Sequence, residues 1–185
     1  EGYSIDEITF PVRVMHALGA SVLVVSNASG GVNPQLAGGD ILVMDDHINL
    51  MYRGNPVVKP NIRTGRVPTS IYCRELINTA LSAARGAEFH AQRGVYVGFT
   101  GPNYETRAEY RLVRKIGGDV VGMSTVPEAI TANQLGMKVL GLSVVTNVAR
   151  PDAPATVEAG EVVEVANTAQ SKLEAIVRAV VESLS

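Results

Sequence analysis

Gly98-Phe-Thr-Gly-Pro-Asn-Tyr-Glu-Thr106 and Gly122-Met-Ser-Thr-Val-Pro-Glu128 are the two stretches whose reading decides the fold. In each, a β-rich apolar run (Val95-Tyr96-Val97, then Asp119-Val120-Val121) ends in glycine, hydroxyl and acidic residues. A helix-forming run follows, so both read as strand–loop–helix junctions. Such junctions, at the carboxyl ends of strands, are where open α/β sheets build ligand sites. The first presents the carboxylate of Glu105 beside the ring of Tyr104. The second presents the hydroxyl of Ser124 ahead of a helix whose free N–H groups favour an anion. A hydrogen-bonding site and an anion site thus stand about twenty residues apart.

The rest of the chain fits one α/β domain. Its 185 residues suit a single domain over 1–185 with a substantial core. Apolar residues make up 46% and charged residues 18%, the profile of a buried core and not of a disordered chain. A net charge of −2 without a long basic run argues against a nucleic-acid or anionic-membrane surface. No apolar run reaches the ~18 residues of a membrane span. No basic-then-apolar signal segment opens the sequence, so a cytoplasmic location is expected. The single Cys73 excludes an internal disulfide and reads as an ordinary buried or half-buried thiol in a helix.

In chain order, Ser4 and Glu7 resemble a capping box, and Ile8, Val12, Met15 and His16 share one helical face in which Pro11 is awkward. His16 reads as a surface or packing histidine. Val22-Leu-Val-Val-Ser26 reads as a buried strand opening into a loop, Asn27-Ala-Ser-Gly-Gly31, whose glycines allow N–H groups to turn toward an anion or a sugar. A plain turn explains the same glycines. Asp40-Ile-Leu-Val-Met44 is the next strand. Asp46 and His47 after it are neighbours that point to opposite faces of a strand, so a structural role is expected over a metal or acid–base one. Residues 51–68 carry no periodicity and read as a long loop, a lid or subunit contact. A helix capped by Thr69 or Ser70 follows, burying Leu76, Ile77, Ala80, Leu81 and Ala84. Strands over 95–99, 119–123 and 138–145 alternate with helices over about 105–116 and up to about 135. After the Pro- and Ala-rich stretch 149–159, one long amphipathic helix closes the chain through Val162, Val165, Ala169, Leu173, Ile176, Val180 and Leu184.

These residues carry a resemblance to a known family. Glu1-Gly-Tyr3, Thr9-Phe-Pro-Val-Arg-Val14, Asn27-Ala-Ser-Gly-Gly31, Gly39-Asp40, Asp46-His-Ile-Asn-Leu50, Gly101-Pro-Asn-Tyr-Glu-Thr106, Gly122-Met-Ser-Thr-Val-Pro-Glu128 and Thr146-Asn147 occur in the order seen in the trimeric, 6-oxopurine-specific purine nucleoside phosphorylases. The resemblance covers essentially the whole chain. It implies a phosphorylase/hydrolase-like α/β fold, with a central mixed sheet flanked by helices. It also implies a homotrimer and phosphorolysis of inosine or guanosine to free base and ribose 1-phosphate. Inorganic phosphate is then a co-substrate, and neither cofactor nor metal is expected. Residue by residue, it assigns Ser124 and the backbone at Ala28 to phosphate, and Met123 and Tyr96 to the ribose. It assigns Tyr104 to packing against the base, Glu105 to accepting the purine N1–H, and Asn147 to the O6/N7 edge of the leaving base. Taken alone, Glu105 reads as a helix N-terminal acid and Asn147 as a strand-end turn residue.

The resemblance carries departures too. The family's phosphate-binding serine loop, with the Arg and His that complete its anion site, precedes Glu-Gly-Tyr. The chain therefore reads as starting about a third of the way into the usual length, and the 185 residues alone are expected to show no measurable phosphorolysis while retaining weak base binding. Val67 stands where the family has a phenylalanine lent to a neighbouring subunit, and Ala159 or Gly160 stands near the place of a histidine that meets the 5′-hydroxyl. Two competing readings are a methylthioadenosine phosphorylase on the same scaffold and a non-catalytic purine-nucleoside-binding or assembly protein.

Overall fold

Apolar strand runs alternate with helices that are apolar on one face, and in the computed structural model these sort into a strand barrel and a helical shell. Residues 2–51, 70–149 and 159–184 are described. Their elements are α1 (Ile5–Ala17), β1 (Val22–Gly31), β2 (Ile41–Leu50), α2 (Arg74–Gly86), β3 (Ala91–Phe99), α3 (Arg107–Lys115), β4 (Val120–Gly122), α4 (Val126–Gln134), β5 (Lys138–Val148), α5 (Ala159–Thr168) and α6 (Gln170–Glu182). The expectations for the 51–68 loop, for Val67, for a Thr69 cap and for most of 149–159 lie outside the described residues.

The central sheet is mixed, and its strands close in the order β1-β4-β3-β2-β5. Two parallel sets make it up: β1 with β5, and β2 with β3 and β4. Antiparallel seams join them, β1 to β4 on one side and β2 to β5 on the other. The β1–β5 ladder runs through ten residue pairs, whereas the β1–β4 seam has two, Gly30↔Val121 and Gly31↔Val120.

The main core lies between the barrel and its helices. Ile41, Leu42, Leu140 and Leu142 are fully buried, packed with Leu76 and Ile77 of α2 and Ile176 and Val180 of α6. A smaller cluster, Val32, Val97, Val113 and Val121, seats α3 against β3 and β4.

Several local expectations change. β1 does not stop at Ser26; it runs on through the glycine pair, with a register shift between Ser29 and Gly30. Gly31 is there for closeness: a Cβ on it would lie 3.0 Å from Val145 Cγ1 and 3.2 Å from Val148 Cγ2. β2 likewise continues through Asp46 and His47. His47 Nδ1 lies 3.1 Å from the Tyr72 hydroxyl and its N–H donates to Asp46 Oδ1 at 2.8 Å, a local structural arrangement. The N-cap of α2 is Cys73, half-buried, while Ser70 Oγ bonds the carbonyls of Asp45 and Tyr72. The last helix is broken at Ala169, where Thr168 Oγ1 donates back to the Val165 carbonyl at 2.7 Å and competes with the helical ladder. Pro11 is accommodated inside α1. No helix among the described residues is long and apolar enough to cross a membrane.

Candidate active site

The carboxyl ends of β1, β3, β4 and β5 converge at the β1–β4 seam, and a cleft of about 300 Å³ opens there. That volume is at the lower end of the roughly 300–1,000 Å³ of small-molecule sites, so it suits one small ligand. Six of the seven residues singled out in the sequence line it: Ala28, Tyr104, Glu105, Met123, Ser124 and Asn147. Tyr96 is not among its walls. It is fully buried behind them, where the Ser124 N–H donates to its hydroxyl at 3.3 Å. A Cβ on Gly122 would collide with that hydroxyl, so the glycine lets the ring support the cleft floor from beneath.

The anion side is built on backbone that no helix propensity would choose. Thr125, the N-cap of α4, sits at φ +71° although it carries a β-branched side chain, and it is only 4% exposed. A left-handed Thr stores roughly 1–3 kcal/mol of strain. A buried polar chain holds it: Asn27 Nδ2 donates to Thr125 Oγ1 at 2.7 Å, and Ser143 Oγ donates to Asn27 Oδ1 at 2.6 Å. Ser124 Oγ lies 3.1 Å from Thr125 Oγ1, so the cleft hydroxyl is tied into the same chain. The two junctions also interlock. Gly101 has φ +66°, and any side chain there would strike the Met123 sulfur.

The other side is built by α3. Thr106 caps that helix and forms a capping box with Glu109, which places Glu105 just outside the first turn. Burial pushes the Glu105 carboxyl above its ordinary range; its own backbone N–H and the Tyr110 hydroxyl oppose that shift, and the charge of Glu109 adds to it. Tyr104 is 59% exposed and leaves its ring free to cover a ligand. Asn147 stands opposite, with its Oδ1 3.1 Å from the Thr146 hydroxyl, which also reaches the Ser29 carbonyl at 3.1 Å.

Sequence reasoning missed Ser29, Gly30, Tyr110 and Thr146 as cleft residues. Thr146 was within reach through its place beside Asn147. Tyr110 was not, because its proximity to Glu105 depends on where α3 begins. Among the described residues that line the cleft, none is Lys or Arg. Among the described residues, no group of three or more His, Cys, Asp or Glu is placed to hold a metal ion.

Two parallel strand sets with a cleft over their seam define a class. Residues 1–182 match the family model of the phosphorylase superfamily. Purine nucleoside phosphorylase 1 of Bacillus subtilis (strain 168) is 44% identical over 185 residues, covering 98% of this chain and 68% of that protein. A Schistosoma purine nucleoside phosphorylase solved with guanosine superposes with a TM-score of 0.90 at 36% identity, covering 100% of this chain and 70% of that one. The Schistosoma mansoni enzyme solved with adenosine gives 0.87 at 37% identity, with the same coverages. The chain belongs to the purine nucleoside phosphorylase family of the phosphorylase superfamily.

Proposed function

We propose that the protein catalyses phosphorolysis of 6-oxopurine ribonucleosides, with inorganic phosphate as co-substrate and no cofactor. The observation that carries this reading is one cleft holding a half-buried carboxylate, an exposed aromatic ring and a hydroxyl at a helix N-terminus. A phosphate oxygen attacks C1′ of the ribose, the C1′–N9 bond breaks, and its electron pair leaves with the base. Ser124, the N-terminus of α4 and the backbone at Ala28 hold phosphate. Met123 lies along the ribose, supported from below by Tyr96, and Tyr104 covers the base. Glu105 accepts from N1–H by a charge-assisted bond. Asn147 donates to the O6/N7 edge as negative charge grows there, so its bond strengthens in the transition state. We extend the reading to a homotrimer in the cytoplasm, without nucleic-acid or membrane partners.

A coupled assay for hypoxanthine release from inosine, run with and without phosphate, tests the activity. Release that requires phosphate and yields equimolar ribose 1-phosphate is expected. Release without phosphate overturns the reading, as does preference for methylthioadenosine. Binding without turnover would make the protein a purine-binding module.

A further inference from the structure

Tyr110 belongs to the cleft wall, yet no role in binding phosphate, sugar or base falls to it. Its place follows from the capping box. With Thr106 as N-cap, Glu105 occupies the position before the cap and Tyr110 the fourth helical position. Those two positions pack together at helix starts, usually as a pair of apolar side chains. Here the pair is a carboxylate and a phenol.

Glu105 needs a donor, and its neighbours are already committed. The Thr106 N–H and hydroxyl both donate to Glu109 Oε2, at 2.7 and 2.8 Å. The groups acting on Glu105 are its own backbone N–H, the Tyr110 hydroxyl and the charge of Glu109 on α3; on the barrel side it acts in turn on Tyr96 of β3. None of these is a cation, and one is a like charge. Among the described residues, the side-chain donor left to the carboxylate is the phenol, and the phenol feels Glu105 in return, its own ionisation being pushed far above the ordinary range first by burial and then by that carboxylate.

We propose that Tyr110 is a positioning residue for base recognition: its hydroxyl donates to Glu105 and keeps that carboxylate an ionised, fixed acceptor for the purine N1–H. The proposal rests on Glu105 being the base acceptor, as in the function proposed above. A phenol uses one of the lone pairs of a carboxylate and leaves the others for the ligand. Without it, the half-buried carboxyl would hold its proton to higher pH and would present an O–H where the 6-oxopurine also presents a donor.

The test is hypoxanthine affinity measured from about pH 5 to about pH 8 in the wild type and in Tyr110→Phe. The expected result is an acid limb moved to higher pH, with affinity near its midpoint weakened about threefold to tenfold and affinity at the alkaline end nearly unchanged. Equal weakening at every pH would mean that the tyrosine only packs, and that outcome overturns the proposal; so does an unchanged profile. Carboxyl-carbon NMR of Glu105 in the ligand-free protein keeps the two readings apart. If the wild type binds no hypoxanthine, the functional reading fails on its own. A Glu105 midpoint that rises in Tyr110→Phe then still supports the contact, and an unmoved midpoint overturns it.

Discussion

A carboxylate can accept and not donate, and the base-recognition role proposed for Glu105 rests on that asymmetry. Facing N1–H it gains a charge-assisted bond; facing the N1 lone pair of adenine it is left unpaired at a cost of about 1–3 kcal/mol or more. Glu105→Gln keeps the shape and supplies an NH₂ that can turn toward an acceptor. Inosine turnover should fall by about 10- to 150-fold, the equivalent of the roughly 1.5–3 kcal/mol of a charged hydrogen bond, while adenosine turnover rises relative to it. Steady-state kinetics on both nucleosides checks this; inosine turnover within about twofold of wild type would remove Glu105 from its role. The pH sign follows from the raised ionisation of the carboxyl, which departs upward from 4.5 through burial first. Recognition of N1–H is therefore lost as pH falls through that raised value, and a protonated carboxyl can then donate to an aminopurine. The same shift means that the folded state holds this proton to higher pH than the unfolded one, so ionised Glu105 reduces stability as pH rises through the window.

Helix starts decide where these side chains land. Thr106→Ala removes the cap of α3 and should reduce stability by about 0.5–2 kcal/mol. It should also weaken hypoxanthine binding severalfold, because Glu105 and Tyr110 are placed by that first turn. Ser4→Ala, in the other capping box, should give a similar loss of stability and leave binding unchanged. Urea denaturation and a hypoxanthine titration on both variants compare the two; equal effects on binding would detach the site from the α3 cap. The sequence made the Ser4 box legible. It put the start of α3 a residue or two early, because Glu105 suits a helical first turn as well as it suits the position before the cap. The glycine pair of β1 read as a turn for a similar reason. What demands Gly31 is contact with Val145 and Val148, residues far along the chain that local pattern cannot see. Strand–loop–helix junctions were legible because glycine, hydroxyl and acid follow apolar runs there. The strained cap of α4 was not. Nothing in the letters around Thr125 announces a left-handed residue, since Asn27 and Ser143 hold it from other strands.

At the scale of the whole molecule, the proposed homotrimer is open to a direct measurement. Sedimentation of the intact protein at micromolar concentration should give the mass of three chains, and monomers alone would count against it. Within one chain, the sheet is closed unevenly. Ten residue pairs tie β1 to β5, but two tie β1 to β4, and the cleft opens over those two. Its walls come from both parallel sets: Ala28 and Asn147 on one, Glu105 and Ser124 following strands of the other. A molecule bridging them is gripped by both and laces the thinnest line of the closure. Whatever binds only the closed sheet stabilises it, so an occupied cleft should raise the cost of parting that line.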